Sequence, residues 1–221
     1  MVKAPRADNA VDFWRGLALV MIFIDHVPGN DFARLTLRNF AISDAAELFV
    51  FLAGWSASYA TGSPAAPAGA GVVASRLWRR AVEIYRVQID ITALALAMLA
   101  ATALTRSNPL FLEWHNAEVA FYDPVRSSVG LVLLSFQLSY FNILPLYVVL
   151  LIVAPAFIIV GRRSLAVMLA ASLTIYLAAI VTRTNLPSWP AQEVWYFNPL
   201  CWQLLFVAGF AAADAHRRGP G

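Results

Sequence analysis

The sequence is short of charge, of cysteine and of histidine. Charged residues fill 13% of its 221 positions, about half the usual share of 25%. That shortage excludes a disordered chain, a nucleic-acid-binding tail and most soluble enzymes. The single cysteine, Cys201, excludes an intrachain disulfide and a cysteine-built zinc site. No Walker motif, no Gly-x-Ser-x-Gly and no dinucleotide fingerprint occurs. Neither an internal repeat nor a second soluble domain is visible.

Apolar residues are what the chain has in abundance, at 60% of the total with a mean hydropathy of +0.66. Six runs approach the ~20 residues that cross a bilayer: 13–27, 47–61, 87–105, 144–160, 165–181 and 197–213. A further stretch, 129–142, is apolar but interrupted by Ser135, Gln137, Ser139 and Asn142. It reads as an interfacial or re-entrant helix. The fold class expected is all-α, a polytopic transmembrane bundle over 1–221, with 62–75 as a flexible cytoplasmic linker rich in Gly, Pro and Ala.

Basic residues set the direction. Lys3 and Arg6 precede the first run; Arg76, Arg79, Arg80 and Arg86 lie between the second and third. Arg162 and Arg163 follow the fourth, and Arg217 and Arg218 follow the sixth. These alternate segments can all be cytoplasmic, so both termini are expected inside. The first run ends in Asp25-His26 without a small-x-small site, so it is not expected to be a cleaved signal.

Charge inside a span costs roughly 2.5–3.5 kcal/mol per residue, so each such residue needs a reason. The first run holds Asp12, Arg15, Asp25 and His26. Eleven residues separate Arg15 from His26, three helical turns with about 20° of offset and about 16 Å of rise. One stripe thus presents a guanidinium towards the inner side and an imidazole towards the outer side. Two readings stand: interfacial anchors that snorkel, or the wall of a polar passage in which His26 is a general base. Asp44 and Glu47 fit a capping box. Alternatively Glu47, or Asp25, holds the imidazole tautomer. Arg76, Arg79 and Arg80 read either as positive-inside retention or as a grip on phosphates.

Weaker features have plainer readings. Glu113, His115, Glu118 and Asp123 match no metal spacing and read as a solvated loop; no metal site is expected. Trp189, Trp195 and Tyr196 read as an interfacial belt, with stacking on a sugar as the lesser alternative. Asn142, Asn198 and Gln203 are candidate interhelical hydrogen-bonding groups. His216 sits in a basic tail and is expected to be inert.

Several segments resemble the OpgC family as a set. They are Asp12-Phe-Trp-Arg-Gly-Leu-Ala-Leu, Asp25-His26, Ser43-Asp-Ala-Ala-Glu47-Leu-Phe-Val-Phe-Leu-Ala-Gly54, Phe141-Asn-Ile-Leu-Pro-Leu-Tyr147 and Tyr196 to Phe206. The broader membrane acyltransferase type 3 group is similar too, in its basic residue, ten intervening residues and histidine (Arg15 to His26). Its Arg-x-x-Arg motif is similar to Arg76 to Arg79, and its aromatic-rich Ser-Gly segment to Phe49–Trp55, with Ala53 replacing the serine.

The resemblance implies an acyltransferase of the bacterial inner membrane. It would move an acyl group, succinyl in OpgC-like members, from a cytoplasmic acyl-coenzyme A-type thioester to a hydroxyl of a periplasmic glucan. No bound cofactor is expected. The implied partners are membrane lipids, the acyl donor and the carbohydrate acceptor, with no nucleic acid; the oligomeric state is left open. Family members carry more spans, so this chain is expected to be a truncated member. Two other classes compete: a transporter of small molecules or lipid-linked sugars, and a non-catalytic membrane remnant.

Overall fold

The computed structural model describes residues 9–27, 29–41, 43–63, 65–191 and 193–219. Lys3, Arg6 and Pro28 lie outside the described residues. The chain is mostly helical. Helix α1 runs Asn9–Asp25, α2 Ala45–Ser58 and α3 Ala70–Thr105. Two short helices follow, α4 (Glu118–Tyr122) and α5 (Pro124–Val132), then α6 (Ile143–Arg163), α7 (Leu165–Thr182) and α8 (Pro199–Arg218). Two-residue strands pair antiparallel in two small hairpins: β1 (Gly62–Ser63) with β2 (Ala66–Pro67), and β3 (Pro187–Ser188) with β4 (Glu193–Val194).

Among the described residues, three helices are long and apolar enough to cross a membrane: α3, α6 and α7. The other three expected spans fall short. Helix α1 has 17 residues and α2 has 14, less than the ~20 a 30 Å layer needs. Helix α8 has 20, but Gln203, Asp214 and His216 dilute its apolar run.

Local chemistry explains most helix ends. Asp44 caps α2, and the Glu47 carboxylate accepts from the Asp44 backbone N–H, completing a capping box. Ser164 caps α7 through the Val167 N–H, and Asn198 caps α8 through the Leu200 N–H with Pro199 in the first turn. Arg162 and Arg163 close α6, where cations complement the helix dipole. Helix α3 runs on for 36 residues because no proline interrupts it between 70 and 105.

Two expectations about local structure are corrected here. First, the stretch 129–142 is helical only to Val132. Leu134 and Tyr140 adopt left-handed backbone, φ 59° and 71°, which no helix continues through. The loop is nevertheless buried at Phe136, Gln137 and Leu138. Its polar groups are met by local bonds, such as Phe136 N–H to the Gly130 carbonyl and Ser139 N–H to the His115 carbonyl. Second, the segment 62–75 holds the β1–β2 hairpin and the opening of α3, which starts at Ala70. Arg76, Arg79, Arg80 and Arg86, which precede the third apolar run, stand on the same helix as that run, α3.

The core forms where α2, α6 and α8 meet. Phe49, Val50, Leu146, Leu150, Leu151, Phe206 and Val207 are buried there. Helices α2 and α8 make the most extensive helix pair, crossing at glycines. A Cβ on Gly54 would strike the Phe206 carbonyl, and one on Gly209 would strike the Phe51 carbonyl. Only hydrogen fits at either position. Across the next interface, the Ser172 hydroxyl donates to Gln203 Oε1 at 2.6 Å and Gln203 Nε2 donates to the Ser172 carbonyl at 2.8 Å. This reciprocal pair ties α7 to α8, as expected of Gln203; Asn198 instead caps α8 and donates to the Thr184 carbonyl.

Helix α3 lies antiparallel to α6. Arg162 donates to the Ala68 carbonyl at 2.6 Å, and the Trp78 indole donates to the Ile152 carbonyl at 3.1 Å. Ten residues forward on one chain segment match ten backward on the other. The arginine-bearing half of α3 therefore flanks α6. The apolar half continues past it, and Ala95, Leu96 and Leu99 pack on Ala117, Phe136 and Leu138.

Gly54→Ala and Gly209→Ala are each expected to destabilise the chain by about 1–3 kcal/mol or more, the cost of overpacking. Thermal unfolding in detergent reads this out. Ser172→Ala, which leaves a buried amide short of one bond, is expected to cost about 1–3 kcal/mol.

Candidate functional site

The first helix sorts its residues by face. Val11, Arg15, Ala18, Ile22 and Asp25 recur at steps of three and four and turn into the bundle, while Phe13, Val20 and Phe23 are exposed. Of the residues read as one stripe, Arg15 lies on the inward face, while Asp12 and His26 are exposed. His26 sits one residue beyond the helix end.

At that end lies a cavity of about 780 Å³, lined by Asp25, His26, Asp44 and Glu47, with Arg38, Tyr140, Asn142, Tyr196, Phe197 and Trp202 around them. It gathers His26 and both candidate carboxylates in one place. The imidazole is exposed to it. His26 Nδ1 lies 2.5 Å from the Ile22 carbonyl. A carbonyl only accepts, so Nδ1 carries a proton, which in the neutral ring leaves the lone pair on Nε2. The Tyr140 ring meets the imidazole edge to face, centroids 4.6 Å apart, and meets His115 on its other side at 5.1 Å.

Neither carboxylate hydrogen-bonds the imidazole. Asp25 Oδ1 accepts the hydroxyl of buried Thr36 at 2.6 Å, while Oδ2 is buried with no partner. Glu47 is engaged in the α2 capping box. The group that fixes the tautomer is a backbone carbonyl, which no residue pattern advertises. The two carboxylates instead make the cavity wall acidic.

Arg15 stands apart from this cavity. Ala18, fully buried, fills the turn between it and Ile22. Its guanidinium lies among α1, α2 and α6. Nη1 donates to Ser56 Oγ at 3.4 Å and Nη2 to the Tyr147 hydroxyl at 3.2 Å. Asp12 is 3.8 Å away. The rings of Phe49 and Tyr147 lie 5.6 and 5.7 Å from its carbon centre, within cation–π range. Nε is buried with no partner.

The three arginines expected to bind a donor are spread out. Arg76 Nη1 donates to the Ala60 carbonyl at 2.9 Å. Arg80 pairs with Glu83 at 3.0 Å in the open. Arg79 donates to the Ser75 carbonyl at 3.3 Å and borders a shallow groove with Trp78, Val82, Glu83 and Arg86. Among the described residues no group of three or more His, Cys, Asp or Glu could hold a metal ion.

Several cavity residues escaped the sequence reading. Tyr140 was hidden in a stretch read as helix. Phe197 and Trp202 passed as residues of the sixth apolar run, although aromatics clustered at its start were the available signal. Of the aromatic belt, Trp195 is buried in the core, while Tyr196 is exposed and lines the cavity.

Tyr147→Phe removes a hydrogen bond to a half-buried guanidinium and is expected to lower stability by about 1.5–3 kcal/mol, the range for bonds to charged groups. A shift of the unfolding midpoint in detergent checks it.

Comparison with curated proteins and with solved structures gives no match. The family profile described as OpgC protein matches residues 7–220, nearly the whole chain. Such coverage spans α1 with Arg15, the cavity and the arginine-bearing helix α3 alike. The chain therefore belongs to the OpgC protein family, membership that implies a transferase.

Proposed function

We propose that the chain is a membrane acyltransferase, moving an acyl group from a coenzyme A-type thioester on the cytoplasmic side to a sugar hydroxyl on the far side. The observation that carries this reading is His26, tautomer fixed by the Ile22 carbonyl, facing a cavity of carboxylates and aromatic rings. Aromatic faces and hydrogen-bonding carboxylates suit a carbohydrate, which is apolar on its ring faces and polar at its rim. The cavity's size falls within the 300–1,000 Å³ typical of small-molecule sites.

The chemistry balances with this chain's own groups. Nε2 of His26 accepts the proton of an acceptor hydroxyl as its oxygen attacks the thioester carbonyl. A carbon–oxygen bond forms, the carbon–sulfur bond breaks, and the imidazolium returns the proton to the leaving thiolate. Nδ1–H stays on the Ile22 carbonyl throughout. A two-step route, with the acyl group resting on Nε2, uses the same geometry. Asp25 and Glu47 stabilise the imidazolium through space rather than by contact.

Arg15, about three helical turns from His26, lies between the inner-end arginines and His26 and attracts the donor's negative charge. In this reading all six long helices span, both termini are cytoplasmic and the membrane is the bacterial inner membrane. Succinyl as the acyl group and periplasmic glucan as the acceptor are the family-level expectation carried into the proposal.

His26→Ala is expected to lower acyl transfer by about 10²–10⁴-fold while the protein inserts as before. Membranes carrying the variant, supplied with labelled succinyl-coenzyme A and glucan, measure this. Undiminished transfer would remove the histidine from the mechanism.

A further inference from the structure

Three arginines that played no joint part in the sequence reading meet at the inner end of the bundle. They come from three helices and grip one loop, residues 58–68, where α2 ends and the β1–β2 hairpin turns. Arg217 of α8 donates to the Ser58 carbonyl at 2.5 Å and to the Gly62 carbonyl, and its guanidinium lies 5.3 Å from the Tyr59 ring centre. Arg76 of α3 donates to the Ala60 carbonyl at 2.9 Å, and Arg162 of α6 to the Ala68 carbonyl at 2.6 Å. The loop is drawn tight by the Ala68 N–H on the Thr61 carbonyl at 2.7 Å.

Part of this grip is ordinary helix capping. A helix end leaves its last carbonyls unpaired and carries about half a negative charge. The ends of α6 and α8, which Arg162 and Arg217 also close, bring the total to about one and a half negative charges, and three full positive charges exceed it. Among the described residues, none of the three arginines has a carboxylate within 4 Å, whereas Arg15, Arg80 and Arg218 each do. A guanidinium has five N–H donors; Arg76 and Arg162 each commit one terminal nitrogen here, leaving much of each fork open. Ser58 Oγ, in the same loop, is buried without a partner.

We propose that this collar of Arg76, Arg162 and Arg217 is a binding site for a phosphate ester. Planar forks suit phosphate oxygens, and a bound dianion would neutralise the uncompensated charge. The occupant is either a soluble nucleotide-type phosphate or a phospholipid headgroup. Its identification with the acyl donor rests on the transfer reading, and moves the donor's phosphates from Arg79 and Arg80 to Arg162 and Arg217. Arg80 is already paired with Glu83, and Arg79 lies on an open groove.

The test is binding rather than turnover. Full-length protein purified in neutral detergent is titrated calorimetrically with coenzyme A. In parallel it is placed in nanodiscs of phosphatidylcholine with and without phosphatidylglycerol, and retained lipid is measured by mass spectrometry. Coenzyme A should bind, and Arg162→Gln should weaken it at least about tenfold, a loss of roughly 1.4 kcal/mol. Arg217→Lys keeps the charge but loses the fork and should weaken it too, while Arg80→Gln should bind like the parent. Melting curves confirm that the variants fold; Arg162 is exposed, so its variant keeps the test open if Arg217→Lys does not fold. Retention of phosphatidylglycerol lost in Arg162→Gln, without coenzyme A binding, supports the site with lipid as its source. If neither probe binds, or if the parent and Arg162→Gln bind alike, the proposal is overturned. If coenzyme A binds as expected but the parent transfers no acyl group, the collar stands and the transfer reading fails.

Discussion

The crossing of α2 and α8 on Gly54 and Gly209 is the contact on which both ends of the molecule depend. With no side chain between them, each backbone sits against the other's carbonyl. Their N-termini carry Asp44, Glu47 and Trp202 to the cavity, and their C-termini bring Arg217 onto Ser58 and Gly62. Widening the crossing would move the cavity wall and the β1–β2 loop together. The reciprocal Ser172–Gln203 pair fixes α7 against the same helix, so the scaffold is set by close packing and one buried polar bond rather than by ion pairs.

The result is a bundle with opposite chemistry at its two ends. Carboxylates, rings, one imidazole and Arg38 line the cavity at one end, while guanidiniums crowd the β1–β2 loop at the other. Arg15 lies between, held by Ser56, Tyr147 and two aromatic rings. Such a gradient suits a reaction whose anionic substrate arrives at one end and whose neutral, polyhydroxy partner arrives at the other. Family membership supports the same class of chemistry.

Much of this was legible where the signal is carried by side-chain type and spacing. The eleven-residue step led to Arg15 on the inward face of α1 and to His26 just past the helix end, exposed at the cavity. The Asp44–Glu47 pair announced its capping box, and Gln203 its interhelical bond. The limits of α6 and α7 fell within about three residues of the apolar runs, because Ser164 and the terminal arginines mark them chemically. What stayed hidden depends on backbone and on distance. The Ile22 carbonyl that orients His26 belongs to any residue. Tyr140 reached the cavity through left-handed turns at non-glycine positions, which composition does not reveal. Arg162 and Arg217 looked like interchangeable positive-inside residues until their shared loop placed them beside Arg76. Helix α3 carries the arginine cluster and the third apolar run on a single rod, because nothing in its sequence breaks it.

That rod has a mechanical consequence for the surrounding lipid. At 36 residues it is about 54 Å long, against a hydrocarbon layer of about 30 Å. Fitting all of it inside would demand a tilt near 56°, beyond the 0–40° range of membrane helices. Helix α6 lies along its basic half, so a level layer wrapped around α6 touches guanidiniums on that flank and continuous hydrocarbon side chains on the others. With α6 as a span, Arg79 and Arg86 would sit at hydrocarbon depth on that flank, and headgroups and water drawn down to them would thin the bilayer on one side of the protein only.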